Sequence, residues 1–391
     1  MRVVVDARSA VDPRRTGVGQ YTRAVLRALP PADPGTRFVA WYLDVRGIGT
    51  RPRRFAGWAP NLSERTTRLP TRLYGPLGSR TGFPKLEWLA GASDVVLAPN
   101  FVVPPTSASC VVVVVHDLAR DVMPETAPHH DARWQRGFER SLRGASAVIV
   151  PSESARQDLE RFYGIEPERV RVIYHGTDAE AFAPAIPPQI EELRSRFAME
   201  GPYIIFLGGL EPRKNLEQLV RAFGMIEDRR CSLVLAGGAV RWAPTYSERI
   251  DRAIADLPVD VRGRVIRTGY VADADRRGLL SGAEVLAYPS RYEGFGFPIL
   301  EAFAANVPVL TSNRSSMPEI AGNAASLVDP DDPQSIAKGL DELLGDDDLR
   351  NVLRAAGTAR VASFTWERCA RQTVDVIHRA AAGVLDGPGS A

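Results

Sequence analysis

Lysine is nearly absent from this chain: Lys85, Lys214 and Lys338 are the three among 391 residues, so arginine carries almost all the positive charge. A lysine that falls inside a motif is therefore a specific choice rather than filler. Cysteine is equally scarce. Cys110, Cys231 and Cys369 are isolated and odd in number, which argues against a disulfide framework or a zinc knuckle and leaves them as small core residues. Long apolar runs are missing too. No stretch approaches the ~18 residues of a membrane span, and Arg2 and Asp6 bracket the first strand where a signal peptide would place its apolar region. A cytoplasmic protein is the expectation.

What remains is an ordinary globular composition, 45% hydrophobic and 25% charged, over a length that one core rarely serves, so two domains are expected. The net charge of +2 hides an asymmetry. Residues 1–180 hold 25 Lys and Arg against 19 Asp and Glu, or +6; the totals of 49 and 47 leave 24 against 28, or −4, for the rest. The excess concentrates between Arg46 and Lys85, where Arg51, Arg53, Arg54, Arg65, Arg68, Arg72 and Arg80 face Glu64 alone and are interleaved with Trp58, Leu62, Leu69, Leu73, Tyr74 and Leu77. Such a segment reads either as a surface for anions or as a solvated basic face.

Short β-branched runs alternate with helical periodicity, the pattern of parallel sheets with helical crossovers. Strands are expected at Val3–Asp6, Phe38–Leu43, Asp94–Ala98, Val111–His116, Ala147–Val150 and Val170–Tyr174. A second set follows at Tyr203–Leu207, Ser232–Ala236, Val265–Thr268, Glu284–Tyr288, Val307–Thr311 and Ser326–Val328. Two doubly wound units result, joined near the prolines of Asp178–Pro188, with a ligand cleft expected between them. Thr16-Gly17-Val18-Gly19 opens one helix. Glu211-Pro212-Arg213-Lys214 precedes another, for which Asn215 and Gln218 suggest a capping box. A last helix runs from Phe364 to about Leu385, opening at Thr365-Trp366-Glu367.

The most informative stretch is Glu293-Gly294-Phe295-Gly296-Phe297-Pro298-Ile299-Leu300-Glu301. Glycines permit close backbone approach, Pro298 suits a first helical turn, and a helix N-terminus with exposed N–H groups binds phosphate. Glu293 on the loop and Glu301 on the helix can accept hydrogen bonds from vicinal hydroxyls. Taken alone, the stretch reads more readily as a glycine turn before an ordinary amphipathic helix with two solvated carboxylates, and the motifs elsewhere in the chain reverse that preference.

With these residues in hand, the chain resembles the retaining, nucleotide-sugar-dependent glycosyltransferases of family 4. The resemblance rests on the TGVG loop at Thr16–Gly19, His116-Asp117, the YHG-T-D segment at Tyr174–Asp178, EPRKN at Glu211–Asn215, Gly269-Tyr270-Val271, the run Pro289 to Glu301, and FTWE at Phe364–Glu367. It implies an α/β protein of GT-B fold, two Rossmann-like doubly wound domains facing across a cleft. The expected divisions are an acceptor-side domain at 1–180, a nucleotide-sugar domain at 181–363, and a helix at 364–391 crossing back. It also assigns roles. Glu301 would accept from ribose hydroxyls and Glu293 from the transferred sugar; Gly294, Phe295 and Gly296 would line the diphosphate and sugar. Lys214, helped by Arg213, would neutralise the leaving diphosphate, and Gly17 and Gly19 would close the site. His116 would bond a sugar hydroxyl or serve as a structural histidine, and Tyr270 and Val271 would hold the base through their backbone. Arg51, Arg53 and Arg54 would form the acceptor or membrane-facing surface.

The resemblance further implies a hexosyltransferase without metal or cofactor. Its donor is a nucleotide diphosphate sugar, GDP-mannose first, and its acceptor a glycan, lipid-linked or small molecule, with peripheral contact at the inner membrane face and no nucleic acid. One departure stands out: Gly209 occupies the place where the family commonly has an arginine, and Arg213 is the candidate to compensate. A nicotinamide dehydrogenase is a poor rival, because Gly17-x-Gly19 lacks its third glycine and lies ten residues past the strand. A sugar-nucleotide epimerase or hydrolase, or a non-catalytic sugar-nucleotide-binding protein, would share the donor site.

Overall fold

The computed structural model describes residues 1–11, 17–44, 54–55, 57–68, 74, 81–126, 132–228, 230–240 and 242–385. The chain divides into two compact units. The first takes Met1–Leu118, His129–Gly176 and Thr365–Ala391; the second takes Ala119–Pro128 and Thr177–Phe364.

The first unit is built on a parallel sheet of strands β1 (Arg2–Asp6), β2 (Arg37–Leu43), β3 (Leu62–Thr67), β4 (Val95–Ala98), β5 (Cys110–Val114), β6 (Ala147–Val150) and β7 (Val170–Val172), in the order β3-β2-β1-β4-β5-β6-β7. Side chains alternate across a strand, so β1 divides its valines between two cores. Val3 and Val5 pack with Tyr21, Val25 and Leu29 of helix α1 (Gly17–Ala32), while Val4 joins Trp41, Tyr74 and Leu86 on the opposite face. The C-terminal helix (Trp366–Ala382) brings Cys369, Val376, Ile377 and Ala380 into the first of these cores. Thr365 caps it, accepting from Arg368 N.

The second unit holds β8 (Tyr203–Leu207), β9 (Ser232–Ala236), β10 (Val265–Gly269), β11 (Val285–Tyr288), β12 (Val309–Ser312) and β13 (Ala325–Val328), ordered β10-β9-β8-β11-β12-β13 and all parallel. The chain winds outward from β8 through β9 to β10, then returns to lay β11 on the other side of β8. This reversal leaves a crevice outside the carboxyl ends of β8 and β11, where open α/β sheets bind ligands.

Several expectations needed correction. Strand β3 was not foreseen inside the basic segment. Leu62-Ser63-Glu64-Arg65-Thr66-Thr67 has little apolar character, as suits an edge strand that only β2 pairs. Within that segment Phe55, Leu62 and Tyr74 are core residues and Trp58 packs partly buried against the core that holds Phe55 and Leu62, so these four do not form an outward surface; Leu69, Leu73 and Leu77 lie outside the described residues. Arg54, Arg65 and Arg68 are exposed; Arg51 and Arg53 lie outside the described residues. The β5 strand ends at Val114 and β7 at Val172, which puts His116 and Tyr174 in the turns beyond. The three cysteines are buried and free. No helix among the described residues is long and apolar enough to cross a membrane.

Candidate active site

The loops that follow β8 and β11 meet at the crevice. After β8, Gly208 and Gly209 lead into a single 3₁₀ turn, Pro212–Lys214, and then helix α2 (Leu216–Met225). Two glycine turns touch here: a Cβ on Gly237, after β9, would fall 1.8 Å from the Gly208 carbonyl oxygen, so no side chain fits. A Cβ on Gly208 would fall 2.8 Å from Lys214 Nζ, which places the ammonium directly over the Gly208 backbone.

Asn215 corrects the capping-box expectation. It takes a left-handed backbone (φ 65°), makes no side-chain cap, and donates its amide to the carbonyls of Pro289 at 3.2 Å and Pro330 at 2.5 Å. The first N–H of α2 donates instead to the Tyr246 hydroxyl at 3.0 Å. Asn215 thus ties the Lys214 turn to the loop after β11, and Arg291 N donates to Arg213 O at 2.8 Å across the same junction.

Glu293 sits at the centre of that second loop and is only 8% exposed. Its Oε1 accepts from the Tyr288 hydroxyl at 2.6 Å and its Oε2 pairs with Arg213 Nη1. Arg213 also donates from Nε to Glu211 at 2.8 Å and from Nη1 to the Tyr292 carbonyl at 3.1 Å. Burial alone would raise the Glu293 carboxyl; Arg213, then Lys214, outweigh it and hold the group below its ordinary range. The same carboxylate and burial raise the Tyr288 hydroxyl well above its ordinary value, burial contributing most. Lys214 is likewise 8% exposed, and its ion contact among the described residues is Glu211 at 3.9 Å, longer than a hydrogen bond.

The backbone of this loop is clamped from the segment after β12. Ser315 and Ser316 hydroxyls donate to the Glu293 carbonyl at 2.6 and 2.8 Å, and Ser316 also reaches the Phe295 carbonyl at 2.8 Å. Gly296 then takes φ 113°, a conformation that favours glycine, and caps an apolar helix running from Phe297 to Ala304 with Pro298 in its first turn. Glu301 points inward from this helix and is 4% exposed, so neither carboxylate is the solvated surface group its type suggests. Arg276, on the helix Asp273–Ser281, donates from Nη2 to Glu301 Oε2 at 2.6 Å.

Residues 189–360 match the glycosyl transferases group 1 family and residues 108–181 match Glycosyltransferase Family 4. O-antigen chain mannosyltransferase B of Escherichia coli is 30% identical over 283 residues, 71% of this chain and 72% of that protein. The chain belongs to family 4 of the glycosyltransferases. Sucrose-phosphate synthase from Thermosynechococcus elongatus superposes on this glycosyltransferase with a TM-score of 0.75 at 20% identity, covering 98% of this chain and 99% of the other. The Anabaena HepE protein, solved in complex with UDP and glucose, gives 0.72 at 18% identity over 97% and 99%. The fold is GT-B.

The loops after β8 and β11 bring Arg213, Lys214, Glu293, Gly294, Phe295, Gly296 and Glu301 to one end of the second sheet. Tyr270 and Val271 follow β10 in the same unit: Tyr270 is 78% exposed, Val271 is buried, and a Cβ on Gly238 would lie 3.6 Å from Tyr270 Cβ. Gly17, Gly19, Arg54 and His116 belong to the first unit. There Gly17 begins α1, and His116 is buried with both ring nitrogens engaged, Nε2 on the Pro99 carbonyl at 2.8 Å and Nδ1 on His175 Nε2 at 3.1 Å. A sugar hydroxyl at His116 would have to replace one of these partners. Burial, countered by Pro99 and Asp117, lowers the His116 pKa, and burial with neighbouring His116 lowers His175 well below its usual value. Sequence reasoning missed Arg276, Tyr288, Glu211 and the two serines as partners of the site.

Proposed function

We propose that this glycosyltransferase transfers a hexosyl group, mannose first, from a nucleoside diphosphate sugar to a glycan, lipid-linked or small-molecule acceptor, with retention at the anomeric carbon and without a divalent metal. The observation that carries the reading is the Lys214–Arg213–Glu293 cluster at the reversal point of the second sheet. Cleaving the anomeric C–O bond sends its electron pair to the diphosphate and leaves positive charge on the sugar. Fixed cations beside the phosphate therefore help most in the transition state. Lys214 is placed to take the new phosphate charge, and Arg213 can share it while bound to Glu293.

Glu293 spends one oxygen on Tyr288 and one on Arg213, yet a carboxylate offers about four acceptor sites, so room remains for a sugar hydroxyl. Glu301 supplies the corresponding acceptor for ribose. Mannose is favoured by the E. coli relative's name, and GDP is the first donor base to test beside UDP, the nucleotide of the HepE complex. The exposed Arg54, together with Arg51 and Arg53, is proposed to face an anionic acceptor or membrane surface.

Thermal-shift measurement against GDP, UDP and dTDP identifies the base; a ligand at 100 times its Kd stabilises by about 2.7 kcal/mol. The nucleotide sugar so identified is then turned over with and without chelator, and the initial anomer is read by NMR. Retained configuration and undiminished rate in chelator are expected. An inverted product, or activity that only magnesium restores, overturns the reading.

A further inference from the structure

We infer that Arg276 is a positioning residue for the donor's ribose: fixed on Oε2 of Glu301, it holds that buried carboxylate in place and leaves Oε1 to receive the hydroxyls. The inference rests on the proposed ribose role of Glu301. It starts from three geometric facts. The Arg276 Nη2–Glu301 Oε2 contact is 2.6 Å, while Oε1 has no protein hydrogen bond among the described residues. The guanidinium lies 5.7 Å from the Phe182 ring centroid, so it has a second neighbour in the segment that precedes β8. Both partners are largely withdrawn from water, with side-chain exposures of 20% and 6%.

A carboxylate in such a place needs a cation. The charged groups that act on Glu301 are Arg276 and Asp273 on the helix after β10 and Lys214 on the turn after β8; its own helix carries no other charged residue. Burial outweighs the neighbouring cations and holds the Glu301 carboxyl above its ordinary range, and Arg276 is the strongest influence opposing that rise, ahead of Lys214. Without Arg276, the remaining help comes from Lys214, which the diphosphate itself will engage, and Asp273 pushes the wrong way. A neutral carboxylic acid accepts hydroxyls weakly, so ribose recognition would then depend on pH. An arginine suits the task better than a lysine, because its charge persists at every accessible pH.

The test is calorimetric binding of GDP or UDP, whichever binds the wild-type protein, between pH 6 and pH 9. The variants are Arg276→Leu, Arg276→Lys, Glu301→Gln and the double variant Arg276→Leu/Glu301→Gln. Each affinity is divided by the wild-type value at the same pH, which removes the nucleotide's own titration. For Arg276→Leu the ratio is expected to fall about tenfold per pH unit below the freed carboxyl's pKa and to recover at high pH. Arg276→Lys should largely restore a flat ratio, and the double variant should be flat at the low level of Glu301→Gln. A ratio for Arg276→Leu that is constant with pH, whether near one or uniformly depressed, overturns the inference. Wild-type affinity in Glu301→Gln is a different failure, that of the ribose reading itself. If Arg276→Leu does not fold by circular dichroism, Arg276→Gln is read by the same criteria.

Discussion

Replacing Lys214 with methionine isolates the charge at the crevice while keeping an unbranched chain of similar length. The ammonium is buried over the Gly208 backbone, and its ion contact is Glu211 at 3.9 Å. Two unit charges about 4 Å apart interact by about 4 kcal/mol at the effective dielectric of a protein site, but desolvation takes back part of this. Charged hydrogen bonds measured by mutation contribute about 1.5–3 kcal/mol, or roughly 10- to 150-fold in a binding constant. The expected pattern is a ladder. Lys214→Met should lose roughly 10- to 150-fold for the nucleoside diphosphate, less for the monophosphate, and nothing for the bare nucleoside. Calorimetry on the three ligands reads it directly. Equal losses at all three rungs would mean that the lysine only supports the loop, and no loss at any rung would remove it from the phosphate site. Turnover should fall more than diphosphate affinity, since the leaving charge peaks in the transition state.

Two further outcomes concern pH. Glu293 has its folded pKa depressed, so it contributes stability above its unfolded value of about 4.3 and loses it as pH falls through the folded value. The Tm deficit of Glu293→Gln, large near pH 7 where Arg213 loses its Glu293 partner, should shrink steadily below about pH 4.3; a deficit constant down to pH 3 would contradict the pairing. His116 and His175 are both lowered by burial, so below about pH 6.5 the unfolded chain takes up protons that the folded one refuses, and stability falls with pH. His175→Asn should make the decline in Tm between pH 7 and pH 5 shallower, and an unchanged slope would refute that account.

The sheets were legible because parallel strands buried on both faces leave continuous β-branched runs, as in Val3–Val5 and Val111–Val115. Strand β3 left no such run, since an edge strand with one neighbour tolerates Ser63, Glu64 and Arg65. The site was legible where its logic is local: Gly296, Pro298 and Glu301 are fixed by one turn and one helix. Partnerships that depend on strand order were not. Ser316 reaches the Glu293 carbonyl only because β12 lies beside β11, and Arg276 reaches Glu301 across 25 residues with no periodicity linking them. Asn215 shows the converse. Its sequence context satisfies a capping rule, but the carbonyls of Pro289 and Pro330 compete for its amide and win, because the fold offers two acceptors that the local chain does not.

The division of labour between arginine and lysine follows from the same geometry. On the proposed roles the two buried carboxylates accept hydroxyls and have to hold their direction, and each has one oxygen bound by an arginine, Arg213 for Glu293 and Arg276 for Glu301. A guanidinium does not deprotonate, so the partner it supplies persists at every accessible pH. A group meant to follow charge as it moves onto a departing phosphate has the opposite need. A compact ammonium on four flexible carbons can shift toward the new charge, and it does so best when no tight ion pair restrains it, as the 3.9 Å contact of Lys214 allows. Of the chain's 49 basic residues three are lysines, and under the proposed function Lys214 stands where a mobile point charge serves better than a fork.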